Sequence, residues 1–265
     1  MSVRSQVRTT FSKAAPNALG RMNPSRRQRL VMEVVRAAST ACTAEECGSL
    51  HRAIATLQGT WPVTRADRES HLAGLYAAVA ETAAVSGAIV ECGVGRGASL
   101  VPLARANQIF SPDRSVIGFD SFEGFPPPVQ QDVGPRVTGD QSVQPHWDEN
   151  YVHTWWNTTS LTAVRDALDA PCELVAGFFS DTLEGRIPAK VSLLHVDCDL
   201  YESTRDVLAQ GLPRMQPGGM IIFDEYDDAT WPGATTAIDE ALADLPFRPT
   251  WDELLRRHVI RIPAA

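Results

Sequence analysis

The chain has 265 residues, 44% of them hydrophobic, which suits one large α/β domain, or one domain with a small appendage, rather than two full domains. Its formal net charge of −8 disfavours nucleic acid or an anionic membrane as the main partner and favours small-molecule chemistry. No apolar run approaches the roughly 18 residues of a membrane-spanning helix, and the first residues lack the apolar core of a secretory signal, so a soluble cytoplasmic protein is expected.

Residues 1–30 hold Arg4, Arg8, Lys13, Arg21, Arg26, Arg27 and Arg29 and no acid. Residues 1–25 are read as a basic tail, either a partner-facing segment or, by composition alone, a transit peptide. Helices are predicted over 26–39, from Leu30, Val31, Val34 and Val35, and over 44–57, where Thr43 and Glu46 form a capping box. A third, over about 68–85, completes a helical region at 26–85 that roofs one end of the sheet predicted after it. Cys42 and Cys47 lack a nearby histidine, and the five cysteines are odd in number and scattered, so reduced thiols are expected rather than disulfides or zinc.

From residue 86 to the end, short β-branched runs alternate with helical patterns, as in βαβ units on a parallel sheet. Strands are predicted at 87–92, 115–120, 173–176, 191–197 and 220–224, with a closing pair near 247–251 and 258–262. Helices are predicted at 97–109, 160–169, 201–211 and 233–244. Only DELLRR lies within the turn of the closing pair, too short for a parallel crossover, so an antiparallel hairpin should end a mostly parallel seven-stranded sheet. Residues 126–158 are proline-containing and aperiodic, and are read as a lid insert.

The stretch VECGVGRGAS at 90–99 matches G-x-G-x-x-A at Gly93, Gly95 and Ala98, and Asp120 ends the next strand where an acid would meet a ribose. Glu91 decides between ligands. Beside a pyrophosphate its carboxylate would cost about 1–4 kcal/mol in repulsion, whereas beside an ammonium it attracts. S-adenosylmethionine (SAM) carries such an ammonium on its methionyl end, so Glu91, Gly93, Gly95 and Asp120 are read as a SAM cradle. A nicotinamide-dependent oxidoreductase shares the loop and Asp120, but no Tyr-x-x-x-Lys dyad occurs, since the only lysines are Lys13 and Lys190.

A second constellation joins LLHVDCDLYEST (193–204) with GGMIIFDEYDD (218–228). Strand alternation puts His195, Asp197 and Asp199 on one side, and Asp224 and Glu225 end the next strand. Four converging carboxylates need a cation, and hard oxygen donors select Mg²⁺, Ca²⁺ or Mn²⁺. His195 is read as a supporting core residue rather than a ligand.

Together VECGVGRGAS, GFDSFEGFP (118–126), GFFSDTL (177–183), HVDCDLYEST (195–204) and PGGMIIFDEYDD (217–228) resemble the macrocin O-methyltransferase family of SAM- and Mg²⁺-dependent enzymes that tailor natural-product sugars. The resemblance implies a Rossmann-like class I methyltransferase, a homo-oligomer, and a glycosylated small-molecule acceptor with a vicinal diol. It implies Asp197, Asp224 and Glu225 as metal ligands and Asp199 as general base, with Asp197 also catalytic. It places Asp120, Ser121 and Phe122 on ribose and adenine, Arg96 on the methionyl carboxylate and Asp181 near the adenine. Family members commonly show two aspartates where this chain has Asp224 and Glu225. Trp147, Trp155 and Trp156 suit either an acceptor pocket or the core of the lid. A noncatalytic SAM-binding partner is the alternative of another class, against which stands the intact acid set.

Overall fold

The computed structural model describes residues 65–133 and 159–264. In chain order these form α1 (Arg65–Glu81), β1 (Ala88–Cys92), α2 (Leu100–Phe110), β2 (Val116–Asp120), α3 (Leu161–Ala167), β3 (Glu173–Ala176) and α4 (Phe179–Arg186). The chain continues through β4 (Val191–Val196), α5 (Tyr201–Gly211), β5 (Met215–Phe223), α6 (Pro232–Leu242), β6 (Thr250–Asp252) and β7 (Arg257–Arg261). The predicted basic tail, the helices at 26–39 and 44–57, Cys42, Cys47 and the three lid tryptophans lie outside the described residues.

The strands form one seven-stranded sheet in the order β3-β2-β1-β4-β5-β7-β6. β1 to β5 run parallel, and β7 is antiparallel to both β5 and β6, as the short DELLRR turn predicts. The chain reverses direction across the sheet between β1 and β4, the position where open α/β sheets bind ligands beyond their carboxyl ends.

Alternating side chains divide the core between the two faces. Ile89, Leu193, Met220 and Ile222 pack with Leu75 of α1 and Leu103 of α2, while Val90, Leu194, Ile221 and Phe223 pack with residues of α4, α5 and α6 such as Leu183, Leu208 and Ile238. Both faces of the central strands are covered, which is why they read as near-continuous apolar runs. Among the described cysteines, Cys92, Cys172 and Cys198 are free thiols.

Three elements depart from expectation. Helix α4 has no counterpart among the predicted helices: its sequence FSDTLEGR buries a single residue, Leu183, and so shows no helical apolar stripe. β5 begins at Met215 rather than 220, its first half carrying Pro217, Gly218 and Gly219, residues that weaken strand propensity. α1 lies at 65–81 rather than 68–85, stopping short of Gly87 and the turn into β1.

Candidate functional site

One cleft of about 830 Å³ opens at the carboxyl ends of β1, β2, β4 and β5. Its two ends are built differently.

At the first end β1 runs into the glycine loop. Gly93 has φ +93°, and its N–H donates to the Phe119 carbonyl at 2.9 Å. A Cβ here would fall 1.6 Å from the Asp197 carbonyl oxygen, so only glycine lets the β1 and β4 loops touch. Gly95 has φ +53° and open space where a side chain would stand. Its N–H donates to Asp120 Oδ2 at 2.8 Å, and the Phe122 N–H donates to Oδ1 at 2.7 Å. Burial raises the Asp120 pKa, and these backbone donors oppose the rise. Each oxygen keeps a lone pair for a ligand hydroxyl. Arg96, half-buried, and Ser121 also line the cleft. The Ser121 hydroxyl donates to the Gly124 carbonyl at 2.6 Å and shapes the turn after β2. An open, glycine-lined cradle with one accepting carboxylate fits the adenosyl and methionyl parts of SAM.

Three predicted cofactor residues do not line this cleft. Phe122 packs against the α1–α2 side of the core, and Asp181 is exposed on α4, with Ser180 Oγ 3.4 Å away. Glu91 stands furthest from expectation. It is fully buried within the sheet, and its Oε1 lies 2.8 Å from Nδ1 of His195, its neighbour in the β1–β4 register. The cause is alternation: Glu91 shares the face of Ile89, beneath α1 and α2, instead of leaving the strand end for the cleft.

At the second end, Asp197, Asp199, Asp224 and Glu225 all line the cleft, gathered as the spacing predicts. Carboxylate oxygens of Asp197, Asp199 and Glu225 lie within 4.8 Å of one another, as do ligand atoms of His195, Asp197 and Asp224. Three hard oxygen donors so placed fit a divalent cation of the Mg²⁺ type. Asp199 takes a left-handed backbone, φ +62°, and its N–H donates to Glu225 Oε2 at 3.5 Å. Burial, then Asp224, pushes Asp197 up to about 7, against the pull of His195. Burial and then the neighbouring Asp197 raise Asp199 and Glu225 well above the usual carboxylate range.

Asp224 alone is held well below that range. Burial would raise it, but Arg257 and His195 outweigh burial. Arg257 grips it through Nε on Oδ1 and through Nη2 on Oδ2 at 3.0 Å. His195 has its Nε2 3.7 Å from Asp224 Oδ1; burial opposes its charge, yet the Asp224 and Glu91 carboxylates push it up to about 10. His71 of α1 also lines the cleft, donating from Nδ1 to the Leu255 carbonyl at 2.9 Å. Burial and then Arg257 lower its pKa to about 4, so near neutral pH its Nε2 carries a lone pair.

Sequence reading missed Arg257 and His71, and also the aromatic wall of Phe125, Phe178, Phe179 and Trp231. The position of Arg257 is set by the hairpin: one step beyond the Phe223–His258 pair, β7 sets it across from Asp224. Nothing local in the sequence marks His71.

The strand order and the cleft at the carboxyl ends of β1 and β4 define a class I SAM-dependent methyltransferase fold. The family model described as macrocin-O-methyltransferase (TylF) matches residues 21–244, and the chain belongs to that family. It is 33% identical over 181 residues to demethyldecarbamoylnovobiocin O-methyltransferase of Streptomyces niveus, covering 64% of this chain and 63% of that one. It is 31% identical over 155 residues to mycinamicin III 3''-O-methyltransferase of Micromonospora griseorubida, covering 54% and 56%. The chain thus spans between about half and two thirds of the curated relatives it matches. Among solved structures, the O-methyltransferase NovP superposes with a TM-score of 0.59 at 27% identity, over 73% of this chain and 80% of that one. The calicheamicin methyltransferase CalS11 shares the fold, with a TM-score of 0.50 at 24% identity, over 83% and 93%. Among the described residues no helix is long and apolar enough to cross a membrane.

Proposed function

We propose that the chain is a SAM-dependent, divalent-metal-dependent O-methyltransferase acting on a hydroxyl of a vicinal diol, on a sugar of a secondary metabolite. The observation that carries this reading is one cleft with a glycine cradle and Asp120 at one end and the close trio Asp197, Asp199 and Glu225 at the other. The relatives named demethyldecarbamoylnovobiocin O-methyltransferase and mycinamicin III 3''-O-methyltransferase support the acceptor class.

At the cradle, Gly95 and Asp120 receive the adenosyl part, Ser121 shapes the turn beside it, and Arg96 meets the methionyl carboxylate. When bound, the donor supplies an electrophilic methyl group and a hard dication acidifies the acceptor hydroxyl. Asp197, Asp224 and Glu225 would hold the cation. Asp199, beside them in the cleft, would accept the hydroxyl proton as general base. Phe125, Phe179 and Trp231 offer an apolar wall against which a sugar face can lie. Holding the acceptor oxygen about 3 Å from the methyl carbon and opposite sulfur is where most of the rate comes from.

The test is S-adenosylhomocysteine release and a methyl mass shift across a panel of diol acceptors, run with and without EDTA. Turnover is expected to vanish in EDTA and to fall about 10²–10⁴-fold in Asp199→Ala. Full turnover by Asp199→Ala in EDTA would refute the scheme, and binding of NADH in place of SAM would return the oxidoreductase alternative.

A further inference from the structure

Beneath the acid end the sheet buries a pair that the proposed chemistry leaves unused. Glu91 and His195, neighbours in the β1–β4 register, are both fully withdrawn from solvent. A buried acid–base pair often adds no stability over apolar residues of similar volume, so its presence calls for another reason. Glu91 Oε1 lies 2.8 Å from His195 Nδ1, and a carboxylate only accepts, so Nδ1 is the donor of that bond. The other ring nitrogen, Nε2, is buried and has no hydrogen-bond partner among the described residues. It lies 3.7 Å from Asp224 Oδ1, and the ligand atoms of His195, Asp197 and Asp224 all fall within 4.8 Å of one another. A carboxylate that holds one ring N–H, fixes the ring and raises the basicity of the other nitrogen is the support that metal-binding histidines share. Asp197 belongs both to this trio and to the trio of Asp197, Asp199 and Glu225, so His195 closes the inner side of the same site.

We propose that Nε2 of His195 is a ligand of the cation, added to Asp197, Asp224 and Glu225 and displacing none of them, with Glu91 as the positioning residue that holds the ring. This rests on the metal-dependent reading of the site and gives His195 a larger part than the supporting core residue expected from the sequence. In the metal-free protein the surrounding carboxylates keep a proton on the ring; the cation takes that proton's place on Nε2, and the proton leaves to solvent. A nitrogen donor among oxygens favours Mn²⁺ or Co²⁺ relative to Mg²⁺.

The experiment is pulsed electron paramagnetic resonance on the intact protein loaded with Mn²⁺, so it needs no acceptor. The wild type is expected to show nitrogen modulation of the Mn²⁺ echo that changes when its histidines carry ¹⁵N. The signal should persist in His71→Gln, which removes the other histidine of the cleft, and vanish in His195→Gln. Glu91→Gln keeps the ligand but loosens its hold, so the modulation should remain while Mn²⁺ affinity, measured by calorimetry, falls about 10–100-fold. If His195→Gln does not fold, the labelled wild type and His71→Gln carry the decision. Bound Mn²⁺ without a histidine nitrogen overturns the proposal, as does a signal that His71→Gln abolishes or that His195→Gln retains. Unchanged Mn²⁺ affinity in Glu91→Gln removes Glu91 from the positioning role. A wild type that binds no Mn²⁺ overturns the metal-dependent reading together with this one, whereas each of the other adverse results leaves that reading standing.

Discussion

At the β1–β2 end of the cleft a lone carboxylate, Asp120, has each oxygen on a backbone N–H, whereas at the β4–β5 end four carboxylates crowd together and only Asp224 is gripped by a cation. The first end is finished by the protein's own backbone, and its left-handed turns fall on Gly93 and Gly95, which take them without strain. The second is left electrostatically unfinished: burial and then the neighbouring carboxylates drive three acids up in pKa, and the nearby His195 and Arg257 offset this only in part. Preorganised backbone suits a neutral sugar and a zwitterion, while uncompensated acid suits a cation. The two ends meet at Gly93, which touches the Asp197 carbonyl.

That contact gives the largest expected effect. Gly93→Ala forces a Cβ to 1.6 Å from the Asp197 oxygen while keeping φ near +93°. Overpacking and left-handed strain together should cost about 3 kcal/mol or more, on the order of a 6–12 °C fall in midpoint for a domain of this size. Thermal unfolding measures the loss, and SAM and Mn²⁺ binding should weaken together. A variant that loses only one of the two ligands would show that the ends are independent.

A smaller effect distinguishes the ends by pH. Native Asp197 holds a proton up to about 7, which the unfolded chain gives up near its ordinary value of 3.8. Stability of the metal-free protein should therefore fall as pH rises from about 4 through 7, by up to about 1.4 kcal/mol per pH unit for one such group. His195, pushed up to about 10, adds stability that is complete below 6.5 and lost as pH rises through 10. Asp224 works in the opposite sense: its contribution is present above the ordinary carboxylate range and is lost as pH falls through its depressed native value. A bound cation replaces the shared protons, so Mn²⁺ should raise the unfolding midpoint more at pH 8 than at pH 6, with proton release on binding. Equal midpoint shifts at the two pH values would mean that the acids are not crowded in solution.

The two ends are also unequally legible in the sequence. The succession of strands along the chain, the antiparallel closing hairpin and the gathering of Asp197, Asp199, Asp224 and Glu225 follow from periodicity, from the short DELLRR turn and from the rule that strand ends face the ligand. Period 2 assigns a side chain to a face without saying what covers that face. Glu91 accordingly reads as a ligand residue, although the same alternation places it beneath α1 and α2 beside His195. Arg257 and His71 enter from elements 33 and 124 residues away from Asp224 and His195 respectively, and only the order of β5 against β7 and the packing of α1 bring them in. Helix α4, which carries Phe179 into the cleft wall, buries too few residues to announce itself by pattern.

The smallest expected effect is the sharpest test of the contrast, because one chemical change should have opposite signs at the two ends. In Asp120→Asn, one of the two backbone donors, from Gly95 or Phe122, meets an amide NH₂ in place of an oxygen. A partly buried N–H left without an acceptor costs about 1–3 kcal/mol, offset in part because a desolvated charge is removed, so a net loss of about 1 kcal/mol is expected. In Asp199→Asn the left-handed backbone at φ +62° is retained, since asparagine tolerates that region as well as aspartate does. The substitution removes one of the mutually repelling acids, so the metal-free protein at pH 8 should unfold at a higher temperature than the wild type. Adding Mn²⁺ should reverse that ranking, because the wild type regains more than the variant from the cation. If both substitutions destabilise the metal-free protein at pH 8, the acid end is no less internally satisfied than the glycine end, and the difference between them disappears.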